Sequence, residues 1–175
     1  MLTALRDALA PHYLIFKWVH LLVVAMWAFS TAVAYTHYVV PAFKAWLGDR
    51  SEPELIKRRD LAIRAFDRGV VLEHVAFPTI LVSGLVMVWL NQAPLDQLSW
   101  LTVKLLIVAL VFIPMEVVDY HISHFGGRKA LSLQAEDLPR YERQVSFHWL
   151  FFRVTDKIVV VFVPVVFFLA VVKPF

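Results

Sequence analysis

The sequence predicts an all-α integral membrane protein: a four-helix up-down bundle with helical extensions on one side. Three observations carry that prediction. The chain has 175 residues of which 60% are hydrophobic, more apolar than an ordinary soluble domain. Its apolar residues are gathered into four blocks, Tyr13–Val40, Gly69–Leu90, Trp100–His121 and His148–Val172. Each block is long enough to cross a hydrocarbon layer of ~30 Å at ~1.5 Å per residue. Finally, Lys and Arg cluster in alternate connections. The length suits one domain spanning residues 1–175.

The first block begins too late and runs too long for a cleaved signal peptide, so the sequence predicts that it is retained. After it, Ser51-Glu52-Pro53-Glu54 reads as a capping box with proline in the first helical turn. Leu55, Ile56, Ile63 and Phe66 follow among charges, so this connection reads as a helix that runs into the second block, with Gly69 as a weak point. The third block continues to Gly126-Gly127, a stop signal, and Asp137-Leu138-Pro139 restarts a helix that continues into the fourth. Pro78, Pro114 and Pro164 interrupt the blocks and should kink them.

Charge sets the expected orientation. The first connection carries Lys44, Arg50, Lys57, Arg58, Arg59, Arg64 and Arg68, and the third carries Arg128, Lys129, Arg140 and Arg143. The middle one, Asn91 to Ser99, has neither Lys nor Arg. The positive-inside rule then puts the basic connections in the cytoplasm and both termini outside, with Trp46 and Trp149 at the inner interface. The net charge of +3 reflects these connections, and reads as topology and contact with anionic lipid of the bilayer, not as nucleic-acid binding. The absence of cysteine excludes disulfides, iron–sulfur clusters, c-type haem attachment and thiolate ligation.

Polar residues at membrane depth are expensive and so mark candidate sites. His37 ends the first block, His74 starts the second, His121 ends the third and His148 starts the fourth. Alternating helices would bring all four to one side, where with Glu73 or Glu116 they would suit a zinc, copper or iron ion. His124 lies one turn beyond His121, and His12 precedes the first block and reads as a surface residue. Glu116 lies five residues inside His121 and Arg153 five inside His148, so depth pairs Glu116 with Arg153, with Asp119, Asp156 and Lys157 nearby. The pair reads either as an ion pair locking two helices or as part of a cationic clamp for a propionate. Arg68 and Lys157 would join such a clamp. His20 and Lys104 lie toward the opposite side, with His20 about 25 Å of helix from His37, so they belong to a separate site.

Lys17-Trp18-Val19-His20, with Trp27 seven residues later, resembles the first span of the bacterial HemJ-type protoporphyrinogen oxidases, small four-helix membrane proteins that bind b-type haem. Trp100 followed by Lys104-Leu105 is similar to their third span, and Val171-Val172-Lys173-Pro174-Phe175 to their terminus. The resemblance implies residence in the bacterial inner membrane, a haem-site role for His20 and a functional role for Lys104. Elsewhere the chain has its own residues: Tyr35-Thr36 where that family has Pro-Arg, Phe77-Pro78 in place of Asn-Pro, and Arg153-Val154-Thr155-Asp156 where the fourth span opens.

Three functions are compatible with these residues. The first is a haem-b membrane oxidoreductase acting on protoporphyrinogen or passing electrons to a quinone, with Lys104, Glu116 and Arg153 as reacting groups and His20, His37, His74, His121 and His148 as candidate ligands. The second is a transition-metal protein using the four-histidine set. The third is a non-catalytic membrane subunit whose charges serve packing or proton relay. A small bundle with intramembrane polar groups also suits homo-oligomer formation.

Overall fold

Helix is the only regular element among the described residues of the computed structural model, which are 1–125 and 129–174, with the side chains of Ser30, Thr31 and Phe125 set aside. Gly126-Gly127, Arg128 and Phe175, to which the sequence assigns a helix stop, a basic charge and part of the terminal motif, lie outside them. The chain divides into two units, the first covering Met1–Ala93 and the second opening at Pro94.

In the first unit, α1 (Leu2–Leu9), a 3₁₀ turn (Ala10–His12), α2 (Tyr13–Ala34), a π-helical turn (Tyr35–Val39) and α3 (Val40–Gly48) follow without a break. The helix thus starts well before the expected Tyr13. Pro41 sits in the first turn of α3, directly after the π turn. A proline ring has no N–H and collides with the carbonyl four residues back, and the wider π turn accommodates both. After α3 comes α4 (Pro53–Gly69), then α5 (Val71–Leu90).

The capping box is corrected at its first residue. Glu52, with extended backbone, is the N-cap and makes no side-chain cap bond. Ser51 instead turns back on Asp49, donating its N–H at 3.0 Å and its hydroxyl at 2.7 Å to Asp49 Oδ1. Those bonds hold the exposed Asp49 carboxyl below its ordinary range, the Ser51 hydroxyl bond being the largest cause. Proline at N1 survives as read, and α4 does run into α5, the Val70 and His74 N–H groups bonding to the Phe66 and Val70 carbonyls.

α2 packs along α5. They are antiparallel: His20 meets Ser83, and seven residues on Trp27 meets Phe77 with ring centroids 5.8 Å apart. The core lies where the π turn, α3 and α4 meet, at Val39, Phe43, Ile63 and Phe66. Arg59 is fully buried there. Its Nε and Nη2 donate to Asp60 Oδ1 at 2.9 and 2.7 Å, and its guanidinium lies 4.5 Å from the Trp46 ring centroid. One expectation changes: Arg59 is a core residue, not a loop charge. Trp46 is buried under it and Arg50.

The second unit contains α6 (Trp100–Ile107), a π turn (Val108–Phe112), α7 (Ile113–Tyr120), a further π turn (His121–Phe125), α8 (Lys129–Gln134) and α9 (Leu138–Val172). Ser99 caps α6 by accepting the Thr102 N–H, and Asp137 caps α9 by accepting the Arg140 N–H at 3.1 Å. The expected restart at Asp137-Leu138-Pro139 therefore stands. Pro114 follows a π turn just as Pro41 does, whereas Pro78 and Pro164 lie inside α5 and α9. Both α6 and α8 pack on α9, and the Lys173 ammonium after α9 lies 5.3 Å from the Trp100 ring at the start of α6.

The fold is all-α with four long apolar helices, each long and apolar enough to cross a membrane. Their exposed faces are apolar: Leu14, Trp18, Leu85, Leu110, Phe168 and Val171 are all exposed. Such faces need lipid or another apolar partner.

Candidate functional site

His20 is buried on α2 although its neighbours Trp18, Leu21 and Leu22 are exposed. Its Nδ1 lies 2.9 Å from Ser83 Oγ on α5. The Ser83 hydroxyl has one hydrogen, which is directed at the Thr79 carbonyl at 2.6 Å, with the Ile80 carbonyl at 3.2 Å. Towards His20 the hydroxyl oxygen therefore accepts, and Nδ1 carries the proton. The neutral ring then has its lone pair on Nε2, the nitrogen that a metal takes.

The next residue along α5 explains how the ring fits. A Cβ on Gly84 would stand 3.3 Å from His20 Cε1 and 3.7 Å from Nδ1. The missing side chain lets the imidazole lie against the α5 backbone. Neither Ser83 nor Gly84 stands out in the sequence as a site residue. The available signal was a pair of small residues mid-span, at the depth where an antiparallel neighbour carries a histidine.

His74 is also buried on α5. It lies nine residues from Ser83, a separation of about 14 Å along the axis, so His20 and His74 occupy different levels of the helix pair. Two imidazoles so offset do not face one iron. His37 and Arg68 are exposed, and Glu73 is buried beside His74.

In the second unit Glu116 and Asp119 are buried on α7, as the shared helical face predicts, while Arg153, Asp156 and Lys157 on α9 are exposed. No ion pair joins Glu116 to Arg153 among the described residues. Level along the axis does not decide contact; direction about it does. Five residues turn a helix by about 140° net, so with His148 buried on α9, Arg153 is carried to the far side. Lys104 is half-buried on α6.

The buried partner of His148 is Lys129, which the sequence places among the loop charges. Lys129 and His148 are 3% and 0% exposed, with Lys129 Nζ 2.9 Å from His148 Nδ1 and 3.4 Å from the Ile122 carbonyl. On the other side of the ring, Nε2 lies 3.7 Å from Asp119 Oδ1, which accepts from the Ser123 hydroxyl at 3.4 Å. The Phe152 ring covers the imidazole with centroids 4.2 Å apart. His121 is exposed, and His124 packs edge-on against Tyr120 at 5.3 Å.

Among the described residues, no group of three or more His, Asp or Glu is placed to hold a metal ion. No family model matches the chain, and no curated protein or solved structure matches it.

Proposed function

We propose that this chain is a haem-b-binding membrane oxidoreductase in which His20 Nε2 would hold the haem iron. The observation that carries this reading is the Ser83 contact, which places the His20 proton on Nδ1 and leaves the lone pair on Nε2. Gly84 supports it by leaving room for the ring against α5. The donor set fits: without cysteine, a buried imidazole with an orienting hydrogen bond is what b-type haem iron takes. Bound haem b would supply one-electron chemistry. The protein's part is to fix the imidazole and keep water from it.

The resemblance of the first and third spans to the HemJ-type oxidases supports protoporphyrinogen as the reductant, with a quinone as the alternative redox partner. In the same reading Lys104 is a functional basic residue, the protein resides in the bacterial inner membrane, and its basic connections face the cytoplasm.

The test is the visible absorption spectrum of detergent-purified protein. A Soret band is expected, lost in His20→Ala and retained in His74→Ala, because the two residues stand at different levels of the helix pair. A Soret band of unchanged intensity in His20→Ala would overturn the assignment.

A further inference from the structure

The proposed function rests on His20 and does not use the buried trio in the second unit, which is built around an imidazole with a titratable group on each side. An ammonium has only hydrogens to offer, so when Lys129 is charged it donates to His148 Nδ1, at 2.9 Å. The neutral ring then carries its own proton on Nε2, which faces Asp119 Oδ1 at 3.7 Å. A side-chain shift of about 0.8 Å would bring that contact to hydrogen-bond length. Lysine, imidazole and carboxylate are thus aligned in the order that proton transfer requires.

We infer that Lys129, His148 and Asp119 form a proton relay, with His148 passing a proton between the ammonium and the carboxylate. In the step, one N–H bond of Lys129 breaks as an N–H bond forms at His148 Nδ1. The Nε2–H bond breaks as an O–H bond forms on Asp119. The products are a neutral amine, a neutral imidazole of the other tautomer and a carboxylic acid, so net charge is unchanged. If the ring instead holds both protons while Lys129 is neutral, the relay stands at its midpoint with the same net charge.

The surroundings favour such a step. All three residues are 6% exposed or less, and burial penalises separated charges, which the transfer removes. The Phe152 ring over His148 keeps bulk water from short-circuiting the path. Other titratable groups lie on the elements around His148: His124 packs against Tyr120, Tyr141 is buried, Glu142 is half-buried, and Arg140 and Arg143 are exposed. Glu116 is buried one turn from Asp119 on α7. His121, Arg153, Asp156 and Lys157 are exposed, and Lys104 lies on α6, about 15 residues along the chain from Asp119 and some four helical turns away. The Lys129 end belongs to the segment between the third and fourth spans and the Asp119 end to the third span, so the relay joins a connection to the depth of the span.

The relay does not depend on haem. The experiment is time-resolved infrared absorption of the detergent-purified full chain after a jump from neutral to acid pH, following the carboxylic-acid band that Asp119→Asn removes. Proton uptake at that band should slow by about a hundredfold or more in His148→Gly and be restored by added imidazole. Lys129→Arg separates transfer from charge, since arginine keeps the cation and does not release its proton. It should slow uptake comparably. Uptake at the wild-type rate in Lys129→Arg would overturn the relay and leave a structural ion triad. So would uptake at the wild-type rate in folded His148→Gly. If His148→Gly does not fold, Lys129→Arg decides. A failed relay leaves the Soret test of His20 untouched, and a missing Soret band leaves this test untouched.

Discussion

Ser83→Ala removes one oxygen, and the structure says what that oxygen does. The Thr79 and Ile80 carbonyls it bonds at 2.6 and 3.2 Å also belong to the α5 backbone ladder, so they lose little. The loss falls on His20, whose Nδ1–H gives up its acceptor at 2.9 Å in a buried site. A buried donor stripped of its partner costs about 1–3 kcal/mol. For a chain of this size that is a fall in melting temperature of roughly 2–10 °C. The functional effect should be larger in kind. Without the bond the ring is no longer held in one tautomer, its basicity drops, and haem affinity should fall by about 10–100-fold. Haem titration followed at the Soret band, together with thermal unfolding in detergent, measures both. Ser83→Thr, which keeps a hydroxyl, should recover most of each. If Ser83→Ala binds haem with wild-type affinity, the orienting role of Ser83 is refuted and the tautomer argument falls with it.

Two further outcomes follow from the same packing. Gly84→Ala places a Cβ 3.3 Å from His20 Cε1, so the ring must shift by a few tenths of an ångström. The helix-propensity gain of about 1 kcal/mol is offset, and thermal stability should stay near wild type while the haem spectrum or potential changes; an unaltered spectrum and potential would count against close packing of the ring. Arg59→Leu should cost about 3 kcal/mol in denaturant unfolding, since it removes a buried guanidinium from both Asp60 and Trp46. A loss below about 1 kcal/mol would mean the buried pair contributes no more than a surface one.

The long elements were legible because the signal is redundant. Each apolar block is far longer than a chance run, and proline with aspartate marked the start of α9 without ambiguity. Relative placement within one helix was equally legible, because the turn per residue is fixed: Glu116 and Asp119, three apart, share a face and both are buried. What was not legible is direction about the helix axis. An exposed face in lipid is as apolar as the packed one, so hydropathy does not tell which way Arg153 or His37 points. Charge was misleading for a related reason. Seven basic residues in one connection read as a solvated set, yet Arg59 is buried on an indole, and Lys129 in the other basic connection is buried on an imidazole. A charge count cannot reveal which of several like residues has found a partner. Ser83 and Gly84 were missed because small residues carry no chemistry until the histidine opposite them is known.

The π-helical turns at Tyr35–Val39, Val108–Phe112 and His121–Phe125 have a consequence for how this chain can change. Each takes up one more residue than an α turn, which swings everything beyond it by about 100°. They act as phase shifters. The packed segment on one side and the site-bearing segment on the other are each in register with their own neighbours and out of register with each other. Removing a single residue at Tyr35–Val39 would rotate Phe43 and Trp46 away from the α4 core while leaving His20 and Trp27 against α5. Changes of one residue in length at these three places therefore re-aim one end of a helix without disturbing the other, a means of altering a site that substitution alone does not offer.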